Sequence, residues 1–404
     1  MRKPIPWRLT VGLVALAAFA LRLAIIAHSH GGSDLRIYLY FSRLALHGAD
    51  PYKAPAGGAI APHFADSPPL EFLIFAGLLA LHDSASTLRV LFALADALVI
   101  LLVGLAYPRP RRWRAGFMLF YAFNPFVLVA WTGFAEDKTV IFLGVALLLI
   151  ALERARDTLA WAAAATLTAF KFAGAFMVPA LALHELRARG RMALVAFAAS
   201  VAAVAISFLP WFPHSLDAFA HRQSRLGIDP PIHASPMLLL SRLGLYAPIE
   251  AKLLPACALV AVLAALAARR IDGVQAMTLS LLACYAFLPD QDYNRILLVT
   301  LPFLLIMRPA LVRWAAIWVM SCFSALGAVI ASRGVPHALS AIAGPLRDVF
   351  GEDSTVAHVL WMNLLLVLVL VFFALDGRRG TRSKTATAGE QAGRRLFVET
   401  ARSG

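Results

Sequence analysis

Ser33–Tyr52 reads SDLRIYLYFSRLALHGADPY. It sets an acid at the start of a short amphipathic segment and closes on a glycine and an Asp-Pro-Tyr turn. On a helical wheel Ile37, Tyr40, Phe41 and Leu44 share one broad apolar face, while Arg36, Arg43 and His47 gather on another. That is the pattern of a helix lying flat at a lipid surface. Gly48 stops this helix and Pro51 fixes the exit. The segment follows directly on an apolar run, Leu9–Ala27, so the fold turns on how the rest of the chain meets a bilayer.

The 404 residues are 60% hydrophobic and only 15% charged, more apolar surface than a soluble domain could cover. One all-α polytopic bundle is therefore expected. The net charge of +14 does not imply nucleic acid, because the arginines cluster in short loops beside apolar runs, where positive-inside orientation puts them. Cys257, Cys284 and Cys322 all fall inside apolar runs, which implies packing and no disulfide framework. MRKPIPWR ahead of Leu9–Ala27 resembles a signal-peptide start, but the run is long for that, so an uncleaved anchor is expected.

Further apolar runs are Thr87–Ala106, Ala115–Thr132, Thr139–Leu152, Met192–Trp211, Ala251–Ala268, Val274–Leu288, Arg295–Met307, Leu311–Ala331 and Val356–Leu375. Two segments do not fit simple spans. Pro69–His82, behind a Ser-Pro-Pro break, reads as a second interfacial or re-entrant helix. Thr158–Leu183 is interrupted by Lys171 and flanked by arginines on both sides, which predicts two short helices meeting at Lys171 in a hairpin. With these choices both termini, Tyr107–Arg114, Glu153–Asp157 and His184–Arg191 lie inside, and the acids collect outside. The expected organisation is one membrane domain over residues 1–376 and a basic, disordered tail over 377–404.

The outer face then carries the chemistry. Asp34 is readable as a general base, a metal ligand or a helix cap. Glu136 and Asp137, in GFAEDK, sit at a helix start where the dipole favours acids, or hold a metal or a hydroxylated substrate. Lys171 between Phe170 and Phe172 is costly to insert unless paired or functional, by roughly 2.5–3.5 kcal/mol, and a chain break there would make a site for an anionic headgroup. Glu71 follows Ser67-Pro68-Pro69 at the start of the second interfacial helix. His28 and His30 could be a metal pair or interfacial histidines. Arg222 and Arg225, with His221 and His233, form a basic patch in the long loop Phe212–Glu250, and Asp290, Asp292 and Arg295 lie in PDQDYNR. Asp96 is an intramembrane acid needing Arg22 or Arg89 as partner. No phosphate-loop, dinucleotide, zinc or serine-triad pattern is convincing.

Asp34, the aromatic-rich helix after it, Gly48-Ala49-Asp50-Pro51-Tyr52 and then Pro68-Pro69-Leu70 resemble the first outer loop of polyprenol-phosphate-sugar-dependent glycosyltransferases of the GT-C fold. The nearest patterns are glycosyltransferase family 87 and the catalytic mannosyltransferase of GPI-anchor synthesis. Asn124-Pro125 followed by Gly133 and Glu136-Asp137 is similar to their second block, and Lys171 with Pro179 resembles their Lys-x-x-Pro region at looser spacing. The chain departs from the GPI enzyme's Asp-x-Asp, having Asp34-Leu35-Arg36 instead, and has Asp66-Ser67 where an aromatic is usual.

The resemblance implies a GT-C-like bundle of about 10–12 transmembrane helices with interfacial helices in the first outer loop, in a cell inner membrane. It implies inverting transfer of one sugar, mannose as first choice, from a polyprenyl-phosphate donor to a hydroxyl of a glycan or glycolipid acceptor. Asp34 would be the base and Lys171, with Arg222 or Arg225, would stabilise the leaving phosphate. Tyr38 and Tyr52 would stack on sugar or prenyl chain. If a divalent cation takes part, Asp34, Glu136 and Asp137 would hold it. The competing expectations are a transporter or lipid flippase using Asp34, Asp96 and Lys171 as a relay, and a non-catalytic membrane subunit.

Overall fold

A computed structural model describes residues 5–53, 65, 67–218, 250–286, 290–291, 293–307, 311–331 and 363–376, with short pieces between 232 and 244. Arg222 and Arg225, the loop 332–355, Asp292 and the tail 377–404 lie outside the described residues. The described chain is helical: α1 (Trp7–Ala27), α2 (Ser33–Leu46), α3 (Pro69–Leu79), α4 (Ala85–Ala106) and α5 (Arg111–Phe123). Then follow α6 (Pro125–Gly133), α7 (Lys138–Glu153), α8 (Asp157–Lys171), α9 (Ala173–Arg189) and α10 (Arg191–Ser207). The last are α11 (Glu250–Ala267), α12 (Gly273–Ala286), α13 (Tyr293–Ile306), α14 (Leu311–Ala331) and α15 (Asn363–Asp376). Among the described residues the one strand pairing is a two-residue parallel bridge, Ile232–His233 with Asp290–Gln291.

This is a multi-pass membrane protein. Three helices, Trp7–Ala27, Ala85–Ala106 and Val312–Val329, are long and apolar enough to cross a membrane, and shorter apolar helices accompany them. On α4 the stripe Val90, Leu94, Leu98 and Leu105 faces outward, whereas Leu88, Phe92, Val99 and Val103 are buried. An apolar stripe outside and another inside is what a helix between lipid and protein requires. The expected span Ala115–Thr132 is broken instead. Asn124 caps α6 by accepting from the Phe126 and Val127 amides, Pro125 takes the first helical position, and the two halves bend by 41°. Residues Leu128–Gly133 then widen into a π-helix, a form concentrated at functional sites.

Buried charges fasten the bundle. Arg22 of α1 donates to Asp96 of α4 at 2.6 Å and to the Tyr121 and Ala122 carbonyls of α5, and Tyr121 donates to Asp96. Arg89 is committed elsewhere, to the Ile26 carbonyl and Ser29 at the end of α1, so Arg22 is the partner of the intramembrane acid. The predicted break at Lys171 is present: α8 ends there, Phe172 takes a left-handed φ of 54°, and α9 begins at Ala173. The two helices pack closely because position 174 is glycine, where a Cβ would lie 2.2 Å from the Ala164 carbonyl oxygen. Arg189 at the far end of α9 pairs with Asp157 at the start of α8, which closes the hairpin.

Candidate active site

Gly31-Gly32 lets the start of α2 touch the turn after α6. The Gly32 amide donates to the Phe134 carbonyl at 2.6 Å, and a Cβ there would crowd Phe134. That contact sets Asp34 beside Glu136, Asp137 and Lys138, with Ala135 in a left-handed conformation aiming the acids inward. Gly32 occupies the cap position of α2, no side chain caps that helix, and Asp34 lies within its first turn. The cap reading of Asp34 therefore loses its geometric basis.

Lys138 is the hub. Its Nζ lies 2.8 Å from Glu136, 2.8 Å from Asp137 and 3.7 Å from Asp34. Lys171 makes a second hub, 2.8 Å from Glu71, 3.1 Å from Asp137 and 2.5 Å from the Ser67 hydroxyl. Asp137 thus bridges the two ammonium groups. Glu71, Glu136 and Asp137 are buried, while the Asp34 side chain keeps 32% of its surface exposed. Tyr38 is buried against Phe75 and Phe92 and donates to Asp137 at 3.0 Å. Its ring therefore forms part of the wall of the site. Tyr52, half-buried, donates to the Ser67 carbonyl at 2.6 Å, so the Asp-Pro-Tyr turn holds the Ser-Pro-Pro break that meets Lys171. The helix between those motifs ends as read: the Gly48 and Ala49 amides donate to the Ala45 and Leu44 carbonyls across His47.

Both apolar sides of α2 pack against protein. Leu35, Tyr38 and Leu39 join the main core, while Phe41 with Ile37, Tyr40 and Leu44 packs a second cluster around Phe72. The helix is covered by protein on two sides. α3 starts at the cluster, with Glu71 on Lys171, and the loop after it pairs Asp83 with Arg43 of α2.

Electrostatics follow from these contacts. Burial raises the Glu71 carboxyl, and Asp137 raises it further while Lys171 opposes, leaving it at about 7. For Asp137 burial pulls upward, but Lys138 and Lys171 more than offset it and hold the carboxyl below its usual range. Burial would lower Lys138, and Asp137, Glu136 and Asp34 outweigh that, keeping it charged against the opposing pull of Arg295. Tyr38 is raised by burial and then by the surrounding carboxylates, so it remains a proton donor.

Sequence reasoning missed Lys138. Its signal was a lysine directly after two acids, Glu136-Asp137-Lys138, at a helix start. The carboxylates expected to hold a divalent cation converge on the Lys138 ammonium, and among the described residues no group of three His, Cys, Asp or Glu is arranged to hold a metal. These residues do not fit a metal centre. His28 and His30 are exposed, and Arg295 reaches the field of Lys138.

Fold and site together define a helical, multi-pass membrane protein with a carboxylate–ammonium cluster where α2, α3, α7 and the α8–α9 hairpin meet. No family model matches the chain, and no curated protein matches it. Among solved structures it is similar to the arabinosyltransferase EmbB from Mycobacterium smegmatis, at 15% identity and a TM-score of 0.43. The likeness covers 94% of this chain and 42% of that one, so this chain spans less than half its length.

Proposed function

We propose that this protein is a GT-C-type membrane glycosyltransferase, transferring one sugar from a polyprenyl-phosphate donor to a hydroxyl of a glycan or glycolipid at the outer face of the membrane. The observation that carries this reading is Asp34. Of the four carboxylates in the cluster it alone is substantially exposed, and it stands at the rim of a buried charge network. An accessible carboxylate held beside a fixed ammonium suits a general base that must be ionised before it acts.

In the proposed step the acceptor oxygen bonds to the anomeric carbon as its proton passes to Asp34. The bond from that carbon to the phosphate oxygen breaks on the opposite face, and the polyprenyl phosphate leaves with the electron pair. Glu136 and Asp137 serve as positioning residues that fix Lys138, and Glu71 fixes Lys171. Lys171, at a hairpin tip and partly exposed, is the cation proposed to meet the donor phosphate. Mannose remains the first choice of sugar on the motif resemblance, and both termini are proposed to be cytoplasmic on the arginine distribution.

The test is transfer by the purified protein from a radiolabelled polyprenyl-phosphate sugar in detergent, with no gradient present. Product formation that is lost in Asp34→Asn supports the proposal. No product with any of several donors, together with gradient-driven uptake in vesicles, would replace it with the transporter reading.

A further inference from the structure

At the end of the hairpin away from Lys171, a second polar cluster sits over an apolar slot. Asp157 and Glu185 are both buried, and both pair with the half-exposed guanidinium of Arg189. These three residues and Trp161 line a cavity of about 430 Å³ among α8, α9 and α10, within the range of roughly 300–1,000 Å³ usual for small-molecule pockets. Its remaining wall is mostly alanine, Ala162 and Ala165 on α8 and Ala196, Ala199 and Ala203 on α10. Each set recurs at three- or four-residue spacing and so shares a helix face. Side chains that end at Cβ leave an open channel along the helices. Val195, Val201 and Ile206 leave α10 exposed and apolar around it, as a helix against lipid would be.

The occupant follows from unmet polarity. Trp161 is 4% exposed, yet among the described residues its indole N–H has no acceptor. A buried indole N–H ordinarily has one, and this one belongs to a residue of the cavity wall. Among the residues that line the cavity two carboxylates stand against one guanidinium, so its lining is one charge negative, with Arg156 and Arg191 adjoining it in sequence outside that lining. An anionic headgroup would bring further negative charge to it, whereas a zwitterion supplies an ammonium for the acids and a phosphate for the arginine.

We propose that this cavity binds a phospholipid with a primary-amine headgroup. Its ammonium donates to Asp157 and Glu185, and its phosphate takes the Arg189 guanidinium. An ester carbonyl accepts from Trp161, and one acyl chain lies along the alanine channel. The site is independent of sugar transfer and stands or falls without it.

The test is native mass spectrometry of the full chain equilibrated with equal amounts of ethanolamine, choline and glycerol phospholipids carrying the same acyl chains. The wild type is expected to retain the ethanolamine lipid at least about tenfold over the choline lipid, the discrimination of one charge-assisted hydrogen bond. Glu185→Gln should reduce that preference to less than about twofold. Ala199→Leu should lower retention of the lipid by filling the channel. Trp161→Phe keeps an aromatic side chain, smaller than the indole, and removes the donor far from the headgroup's ammonium, so it should weaken retention without changing headgroup preference, even if the other variants fold poorly. Equal retention of the three lipids by the wild type would overturn the proposal. So would a preference for the glycerol lipid, or retention unaltered in Trp161→Phe and Ala199→Leu.

Discussion

Asp34 and Lys138 face each other at 3.7 Å between carboxylate and ammonium, one in the first turn of α2 and the other in the first turn of α7. The approach of Gly32 to Phe134 creates this pairing, and it gives an exposed carboxylate a buried, charged neighbour.

Replacing Asp34 by Asn should abolish transfer and leave the fold intact. Loss of a general base costs about 10²–10⁴-fold in rate, whereas α2 takes no capping bond from this side chain. Initial rates and a melting curve on the same preparation separate the two effects. Transfer within a fewfold of wild type would remove Asp34 from the chemistry.

Lys138→Met should destabilise the protein by about 3–5 kcal/mol, the usual cost of leaving buried charge without its partner. Glu136 would lose its 2.8 Å partner, and Asp137 would be left with Lys171, an ammonium that already serves Glu71. Adding Glu136→Gln to Lys138→Met removes one of the stranded charges and should recover part of the loss. Thermal unfolding in detergent of both single variants and the double variant gives the coupling. Strict additivity would mean that Lys138 and Glu136 do not act as a pair.

Much of this was legible beforehand. Hydrophobic run length located the helices to within a few residues at most positions, the arginine-flanked Lys171 gave the hairpin, and Asp96 required a cation that proved to be Arg22. The failures share a cause. A helical wheel describes one helix against one surface, but α2 packs on α3 and α4 as well as on the turn after α6, so Tyr38, outside the face that the wheel picks out, is buried in the core. Lys138 was not singled out beside its two acids, because only the tertiary contact of two glycine-lined turns makes it a hub. The break at Asn124-Pro125 carried its own cap-and-proline signal, masked by the apolar residues on both sides.

The pH dependence of stability should separate Glu71 from Asp137. Glu71 is raised in the folded state from 4.5 to about 7, so the folded protein binds its proton more tightly than the unfolded chain. Its stabilising contribution is fully present below 4.5 and is lost as pH rises through about 7. Asp137 is lowered from 3.8, so its contribution is present above that value and disappears as pH falls below it. Between pH 5 and 8 the melting temperature should therefore decline in the wild type relative to Glu71→Gln, which carries no titrating proton. Parallel curves over that interval would show that Glu71 is ionised throughout.

Lys171 offers the sharpest test of donor recognition, because its contacts are already occupied. Its ammonium meets Glu71, Asp137 and Ser67 and lies 5.4 Å from the centre of the Tyr38 ring. A phosphate must therefore share it with two carboxylates, and the uptake of a proton by Glu71 would ease that crowding. Lys171→Met should raise the donor concentration needed for half-maximal rate and leave the acceptor dependence little changed. Lys171→Arg should restore part of the donor affinity, since it keeps the charge while its planar fork fits a different geometry. Lys171→Met combined with Glu71→Gln should fold better than Lys171→Met alone, because no buried carboxylate at position 71 is then stranded, yet should still bind donor poorly. If the double variant instead regains wild-type donor dependence, Lys171 only neutralises Glu71, and the phosphate is recognised elsewhere.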